Sequence, residues 1–283
     1  MEPGEVIKIY SVYNPQISVI IPSFYAPGSI LDLIDDLKEQ TERSIEIILV
    51  YQVRPSGRAR NLGAEKALGE FFVFMDDDIR LGDENVLRNL IEPLKNDKSI
   101  GLTGASIRIP LDANRFQRIA ARQTPRLEFP ILAEMQDSDM VTTQCWAQTR
   151  ECFEKIGPFT EIIDRGVDPE YRRRVREKGL RTVITPNTWS YHPPPENLWS
   201  FIKQNYRNGK FSAHAQRKHP HLVVPVPDSG EISEITKTSL LYRIMRAVIT
   251  VFASLFNLRI MQFIERLSYG AGYIIGRLDK SHL

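Results

Sequence analysis

The 283-residue chain has only two cysteines, Cys145 and Cys152. Their number and spacing fit neither a zinc site nor a disulfide framework, which points to a reducing compartment. Net charge is also scarce: 37 Lys and Arg stand against 35 Asp and Glu, a formal +2. With no long basic run either, nucleic acid is excluded as the expected partner. No stretch of about 20 residues is free of charge, so no membrane-crossing helix is expected. The segment MEPGEVIKIYSVYNPQ has no basic start followed by an apolar core, and no signal peptide is expected from it. Internal repeats and long low-complexity tracts are missing as well. What remains is ordinary globular composition, enough for one large domain or a domain with an appendage.

Against that background one stretch stands out: FFVFMDDDIRLG, in which an apolar run leads directly into Asp76, Asp77 and Asp78. The run Phe71–Met75 has the length and the aromatic content of a strand covered on both faces. In an extended chain Asp76 and Asp78 point to the same side, about 7 Å apart. At an effective dielectric of about 20 they repel by roughly 2 kcal/mol. A divalent cation turns that repulsion into attraction, and hard carboxylate oxygens suit Mg²⁺ or Mn²⁺. A solvated acidic turn is the alternative.

The surrounding pattern places the aspartates. ISVII at 17–21 reads as a buried strand ending at Pro22. GSILDLIDDLKEQ follows with helical spacing, then the strand IEIILVY, a helix over 58–69 ended by glycine, and the run into the aspartates. This β-α-β-α-β alternation predicts a parallel sheet with helices on both faces. In such sheets ligands sit at the carboxyl ends of the strands, where Pro22-Ser23, Tyr51-Gln52 and the aspartates all fall.

Further on, 100–109 reads as one or two strands, and 111–140 as a loop and insertion region. The cysteine-containing stretch reads as the approach to a short helix ending near Gly157. The segment 167–179 reads as a helix with Asp168 as its N-cap, Pro169 in its first turn and Gly179 past its end. RTVIT is a strand closed by Pro186. A helical region over 196–216 precedes HPHLVVPVPDSG, a proline-rich linker. The expected division is a catalytic domain over 1–218, a linker over 219–236 and a helical tail over 237–283.

In the tail, Leu240, Leu241, Ile244, Met245, Val248, Ile249, Phe252, Leu255 and Phe256 form one apolar helix face. A second such segment spans 260–278. After Lys237 the basic residues Arg243, Arg246, Arg259, Arg266, Arg277 and Lys280 outnumber Glu265 and Asp279. A basic amphipathic pair fits the interface of an anionic membrane; packing on the domain or on a second copy is the alternative. Gly272 and Gly276 form a small-xxx-small pair that suits close helix packing.

The blocks ISVIIPSF, GRARNLGAEKALGEFFVFMDDD, IGPFTE, VDPEYRRRVREKGLR and YH resemble, in order and rough spacing, the family 2 glycosyltransferases. The likeness covers about residues 17–215, and its specific part is RARNLGAEKALGEFFVFMDDD. It implies a GT-A fold, with a Rossmann-like mixed sheet, helices on both faces, and here C-terminal amphipathic helices as well. It also implies an inverting transfer of one sugar from a UDP- or GDP-sugar to a hydroxyl of a glycan or lipid-linked acceptor, assisted by Mn²⁺ or Mg²⁺. The expected location is the inner, cytoplasmic face of the cell membrane.

By the same resemblance Asp76 and Asp78 form the DxD element, with Asp76 near the ribose or metal, Asp78 on the metal, and His192 at a position that ligates the metal in some members. Asp77 contacts the ribose or, as the alternative, points away and serves structural hydrogen bonding. Pro22, Ser23 and Phe24 hold the base, and Gln52 stands where the family often places a base-reading aspartate. Arg60 and Asn61 contact the nucleotide, with Arg58 beside them. Asp168 is the general base, because a hydroxyl attacking the anomeric carbon must lose its proton. Glu170 supports it. Residues 157–159, Glu161 and Trp146 mark the acceptor side. Val167 replaces the glutamate that usually precedes the base. QNYRN lacks the tryptophan of processive members, which predicts single-sugar transfer. Two other readings compete: a catalytically silent nucleotide-sugar-binding or membrane scaffold, and a sugar nucleotidylyltransferase. The latter would show a glycine-rich basic loop where PSFYAPGS stands.

Overall fold

A computed structural model describes residues 4–25, 28–224, 226–232 and 240–279. The first half runs β1 (Val6–Ser11), β2 (Ile17–Ser23), α1 (Ser29–Glu39), β3 (Ile45–Tyr51), α2 (Ser56–Lys66), β4 (Phe71–Met75), β5 (Arg80–Leu81) and α3 (Val86–Asn96). Then come β6 (Ile100–Arg108), α4 (Arg115–Gln123), β7 (Gln136–Asp137), β8 (Cys145–Thr149), α5 (Arg150–Ile156), α6 (Val167–Glu177) and β9 (Arg181–Tyr191). Helices α7 (Leu198–Lys218), α8 (Leu240–Phe256) and α9 (Ile260–Leu278) complete the described order.

The chain divides into two compact units. One comprises Met1–Arg108, Phe129–His192 and Gly230–Ile232; the other comprises Ile109–Glu128, Pro193–Ser229 and Ser233–Leu283. The first holds a single sheet in the order β1-β3-β2-β4-β8-β6-β9-β5, with β7 paired to β9. Strands β3 and β4 flank β2 in parallel, as the alternating pattern predicts, while β1, β8 and β5 run antiparallel to their neighbours. From β2 the chain crosses to β3 on one side, then returns to β4 on the other. The carboxyl ends of β2 and β4 therefore border the point where the winding reverses, the place where open α/β sheets hold ligands.

The apolar runs read from the sequence are the core. Val19, Ile47 and Val73 are fully buried at the centre of the sheet, and Ile30, Leu33, Ile34 and Leu37 bury one face of α1. Buried Glu46 accepts from Ser18 Oγ at 2.6 Å and from the Leu68 N–H, and pairs with Lys8. The clasp fixes edge strand β1 and the turn before β4.

Several sequence expectations need correction. Strand β1 was not anticipated. Helix α2 starts earlier and stops at Lys66; Gly69 does not end it. An added Cβ at Gly69 would lie 2.7 Å from Gln16 O and Ser18 N, so glycine there allows the close passage into β4. Residues 111–140 are not all loop: Asn114 and Gln117 form a capping box that starts α4. Cys145 lies in β8. Strand β9 does not close at Pro186. The ladder to β6 jumps between Gly104 and Ser106, the chain bulges around Asn187 (φ 49°), and pairing resumes through Tyr191. Gly157 ends α5 as expected, at φ 85°.

The second unit is helical. Helices α7 and α9 cross at glycines: a Cβ on Gly272 would strike Tyr206 O, and one on Gly276 would lie 2.8 Å from Lys210 O. This is the close packing that the small-xxx-small pair suggests. Lys210 Nζ and Asp279 pair at 2.7 Å beside the crossing. On α8, Met245, Ile249, Phe252 and Phe256 are exposed. Residues 233–239 and 280–283, with Lys237 and Lys280, lie outside the described residues. So do the side chains of Leu240, Leu241, Ile244 and Val248 and of Arg243 and Arg246. Among the described residues no helix is long and apolar enough to cross a membrane.

Candidate active site

The three aspartates leave β4 at the reversal point, and each finds a different partner. Asp76 Oδ1 accepts from Arg60 Nη2 at 3.0 Å. Arg60 comes from α2 and is buried, and its Nε has no hydrogen-bond partner. Asp77 Oδ2 accepts from Ser23 Oγ at 2.5 Å, which ties the end of β4 to the end of β2. Asp78 Oδ1 lies 3.6 Å from His192 Nε2. That meeting follows from strand register: β5 pairs Arg80 with Tyr191, so the residue after β9 comes to the aspartates.

Asp168 approaches from α6. It is not the N-cap; Gly166, at φ 86°, holds that place, and Asp168 stands inside the first turn. Its carboxylate is held by Thr143, whose Oγ1 donates at 2.8 Å and whose N–H donates at 3.2 Å. The electrostatics link these groups. Burial pushes the Asp76 carboxyl above its ordinary 3.8; Arg60 pulls it back, Asp78 and Asp168 push it further up, and His192 offsets them. Asp77 is also raised, first by burial, against the Ser23 hydrogen bond. Three carboxylates thus share a region with one buried guanidinium and one imidazole.

Among the described residues no three His, Cys, Asp or Glu side chains are placed to hold a metal ion by themselves. The donor set nevertheless fits a hard cation. Mg²⁺ and Mn²⁺ are commonly held by one or two carboxylates with phosphate oxygens completing the shell, and Asp76 and Asp78 are two carboxylates that repel each other.

The other predicted residues divide. Pro22 and Ser23 end β2, and Phe24 follows under Arg54, whose Cζ lies 3.7 Å from the ring centroid. Gln52 takes a left-handed backbone (φ 53°); its N–H donates to Ser23 O and its Nε2 to Tyr51 OH. Asn61 is buried, and its amide is engaged with both backbone groups of Phe159 and with Glu161, so it shapes the 159–161 loop. Arg58 is exposed. Glu170 is buried in a salt bridge with Arg174. Trp146 does not line an open surface; it is fully buried between Phe74, Phe159 and Tyr171. Both thiols are buried and pushed up to about 12, which removes them as nucleophiles. Thr143 and Arg54 were missed. A lone threonine in VTTQCW and a lone arginine in a loop carry no pattern of their own.

Residues 54–157 match the family model described as glycosyl transferase family 2. Over that segment the chain is similar to glycosyl transferase family 2. The matched segment holds Arg60 and all three aspartates; Ser23, Asp168 and His192 lie outside it. The chain is 26% identical over 221 residues to the O-antigen biosynthesis protein RfbC of Myxococcus xanthus, covering 63% of this chain and 17% of that protein. The chain therefore spans about a sixth of the length of that relative. Its fold is GT-A. The mannosyltransferase PcManGT from Pyrobaculum calidifontis, solved with GDP-Man and Mn²⁺, superposes with a TM-score of 0.61 over 95% of this chain and 89% of that one, at 15% identity.

Proposed function

We propose that this chain transfers one sugar, with inversion, from a nucleotide-sugar donor to a hydroxyl of an envelope glycan or lipid-linked acceptor. One observation carries the reading: Asp168 from α6 is held by Thr143, and the adjacent Gln144 O accepts from the Asp76 N–H at 3.1 Å, which brings Asp168 to the aspartates and the buried Arg60 at the reversal point of the sheet. The donor of the Pyrobaculum mannosyltransferase and the pathway named for the Myxococcus relative support the substrate class.

The roles follow from chemistry. Asp76 and Asp78 would hold Mg²⁺ or Mn²⁺, which when bound would supply positive charge against the leaving group. Arg60 neutralises part of the carboxylate charge, so that an anionic diphosphate is admitted. Asp168, held by two donors from Thr143, accepts the proton of the attacking hydroxyl. The new bond forms from that oxygen to the anomeric carbon as the carbon–phosphate oxygen bond breaks. The proton stays on Asp168 and the nucleoside diphosphate leaves. A single displacement inverts the anomeric centre. His192, beside Asp78, is a further ligand candidate.

The test is turnover with binding measured in parallel. Asp168→Asn should lower kcat by about 10²-fold or more while donor affinity holds. Equal turnover in wild type and variant would remove Asp168 as the base, and donor binding without turnover in wild type would favour the silent scaffold. A membrane surface is part of the proposal because the described apolar side chains of α8 point outward. Failure to co-sediment with anionic vesicles would remove that part.

A further inference from the structure

The loop that follows β3 reads QVRP and contains no carboxylate. It borders the carboxyl ends of β2 and β3: the Gln52 N–H donates to Ser23 O at 2.9 Å, and Ser23 in turn reaches Asp77. Arg54 extends from this loop. Its guanidinium carbon lies 3.7 Å from the centroid of the Phe24 ring, and Nη2 donates to Tyr25 OH at 3.3 Å. The side chain is exposed, and among the described residues no carboxylate is paired with it. A planar, fully charged donor fork thus lies over an aromatic ring, next to Ser23, which anchors Asp77.

We propose that Arg54 selects guanine as the base of the donor nucleotide. The inference rests on the nucleotide-sugar reading of this site and names its base. A guanidinium fork needs two adjacent acceptors on one edge. Guanine presents O6 and N7 side by side. Adenine places an N6 donor next to N7, cytosine offers an N4 donor, and uracil flanks O4 with its N3–H. Only guanine satisfies both N–H groups of the fork without leaving one facing another donor. The Phe24 ring, 3.7 Å from the guanidinium carbon, and Tyr25 OH hold the side chain in place. Gln52 completes the match: its Nε2 is given to Tyr51 OH at 3.1 Å, so its Oε1 is the free end, an acceptor suited to the guanine N1–H. Arg54 acts as a specificity-determining residue and takes no part in the transfer itself.

The experiment is calorimetric titration of the full chain with GDP, UDP, ADP and 7-deaza-GDP in the presence of Mn²⁺, repeated on Arg54→Ala and Arg54→Lys. The deaza analogue differs from GDP only in replacing the N7 acceptor by C–H. Wild type should bind GDP roughly tenfold or more tighter than UDP, ADP and 7-deaza-GDP. In Arg54→Ala the affinity for GDP should fall to that for 7-deaza-GDP, while UDP binding stays at its wild-type level and shows that the diphosphate site is intact. Arg54→Lys should recover little, because a point charge cannot span two acceptors. Tighter binding of UDP or ADP would overturn the proposal, and so would a GDP preference over 7-deaza-GDP that survives in Arg54→Ala. If no nucleoside diphosphate binds at all, it is the donor-site reading that has failed, and the base assignment goes with it.

Discussion

The Arg60–Asp76 pair is where the proposed donor site is most exposed to test. Replacing Arg60 by Met keeps the length of a buried side chain and removes its charge. The atoms are 3.0 Å apart, and two unit charges at that distance attract by roughly 5 kcal/mol at an effective dielectric of about 20. Most of this offsets the cost of burying the guanidinium, whose side chain is 5% exposed. The Asp76 side chain is 35% exposed, so water screens its charge once the arginine is gone. The net loss in stability is therefore about 1–2 kcal/mol, not the whole attraction. The informative result is a pair of opposite signs. Without Arg60 the carboxylates stand unopposed, so Mn²⁺ alone should bind more tightly to Arg60→Met. Nucleoside diphosphate, itself anionic, should bind more weakly at fixed Mn²⁺. Urea unfolding and titrations with Mn²⁺, then with GDP and UDP, measure all three quantities. If neither affinity moves, Arg60 is a structural cation and the aspartates are not a diphosphate site.

Three other perturbations follow from particular contacts. Burial pushes the Glu46 carboxyl up, but Lys8, Ser18 and the Leu68 N–H outweigh it and hold the group below its ordinary 4.5. Its stabilisation is therefore present above pH 4.5 and lost as pH falls through the lowered value. Lys8→Met should weaken the fold by about 1 kcal/mol, since Lys8 is 38% exposed, and should move the acid limb of a urea midpoint–pH profile to higher pH; an unmoved limb would refute the clasp. Gly272→Ala drives a methyl group into Tyr206 O and should cost about 1–3 kcal/mol in thermal or urea unfolding, whereas Gly270→Ala, with nothing within 4 Å, should gain about 0.5–1. Equal effects at the two glycines would mean that α7 and α9 do not cross there. Thr143→Val removes the 2.8 Å hydroxyl bond to Asp168 and should lower kcat about tenfold with the donor KM unchanged, while Thr143→Ser restores it; loss of donor affinity instead would place Thr143 in the binding site.

How far the sequence could be read depended on the range of the interaction. Buried strands β2, β3 and β4 and helix α1 follow from short apolar runs and helical spacing, because each buries its own side chains against the sheet. Strand β1 is exposed along most of its length and is held by its ladder to β3 and by the Lys8–Glu46 pair, which no local window contains. The continuation of β9 past Pro186 was hidden for a related reason. A proline ends most strands, and only the bulge opposite Gly104 and Ser106 lets this one resume. Asp168 was found as a residue but misplaced by one element of detail. Pro169 read as a first-turn residue suggests a capping aspartate before it, yet the left-handed Gly166 already starts the helix. That frees the carboxylate to turn to Thr143.

The acidic triplet shows the same limit at the site itself. Spacing alone singles out Asp76 and Asp78 and leaves Asp77 without a role. In the folded chain the three are sorted by partner: one meets a buried cation, one a serine across the sheet, one an imidazole brought by β9. The middle aspartate is thus the one fastened to the framework. Its bond to Ser23 joins the two strand ends that border the reversal point, across the turn that follows β4. With Asp77 so tied, Asp76 meets Arg60 and Asp78 lies by His192. Asp77→Asn keeps a partner for Ser23 and should leave metal-dependent nucleotide binding within about threefold of wild type, whereas Asp77→Leu should weaken it by about tenfold or more by releasing both neighbours. A loss with Asn as large as with Leu would show that the charge of Asp77 itself contacts the ligand.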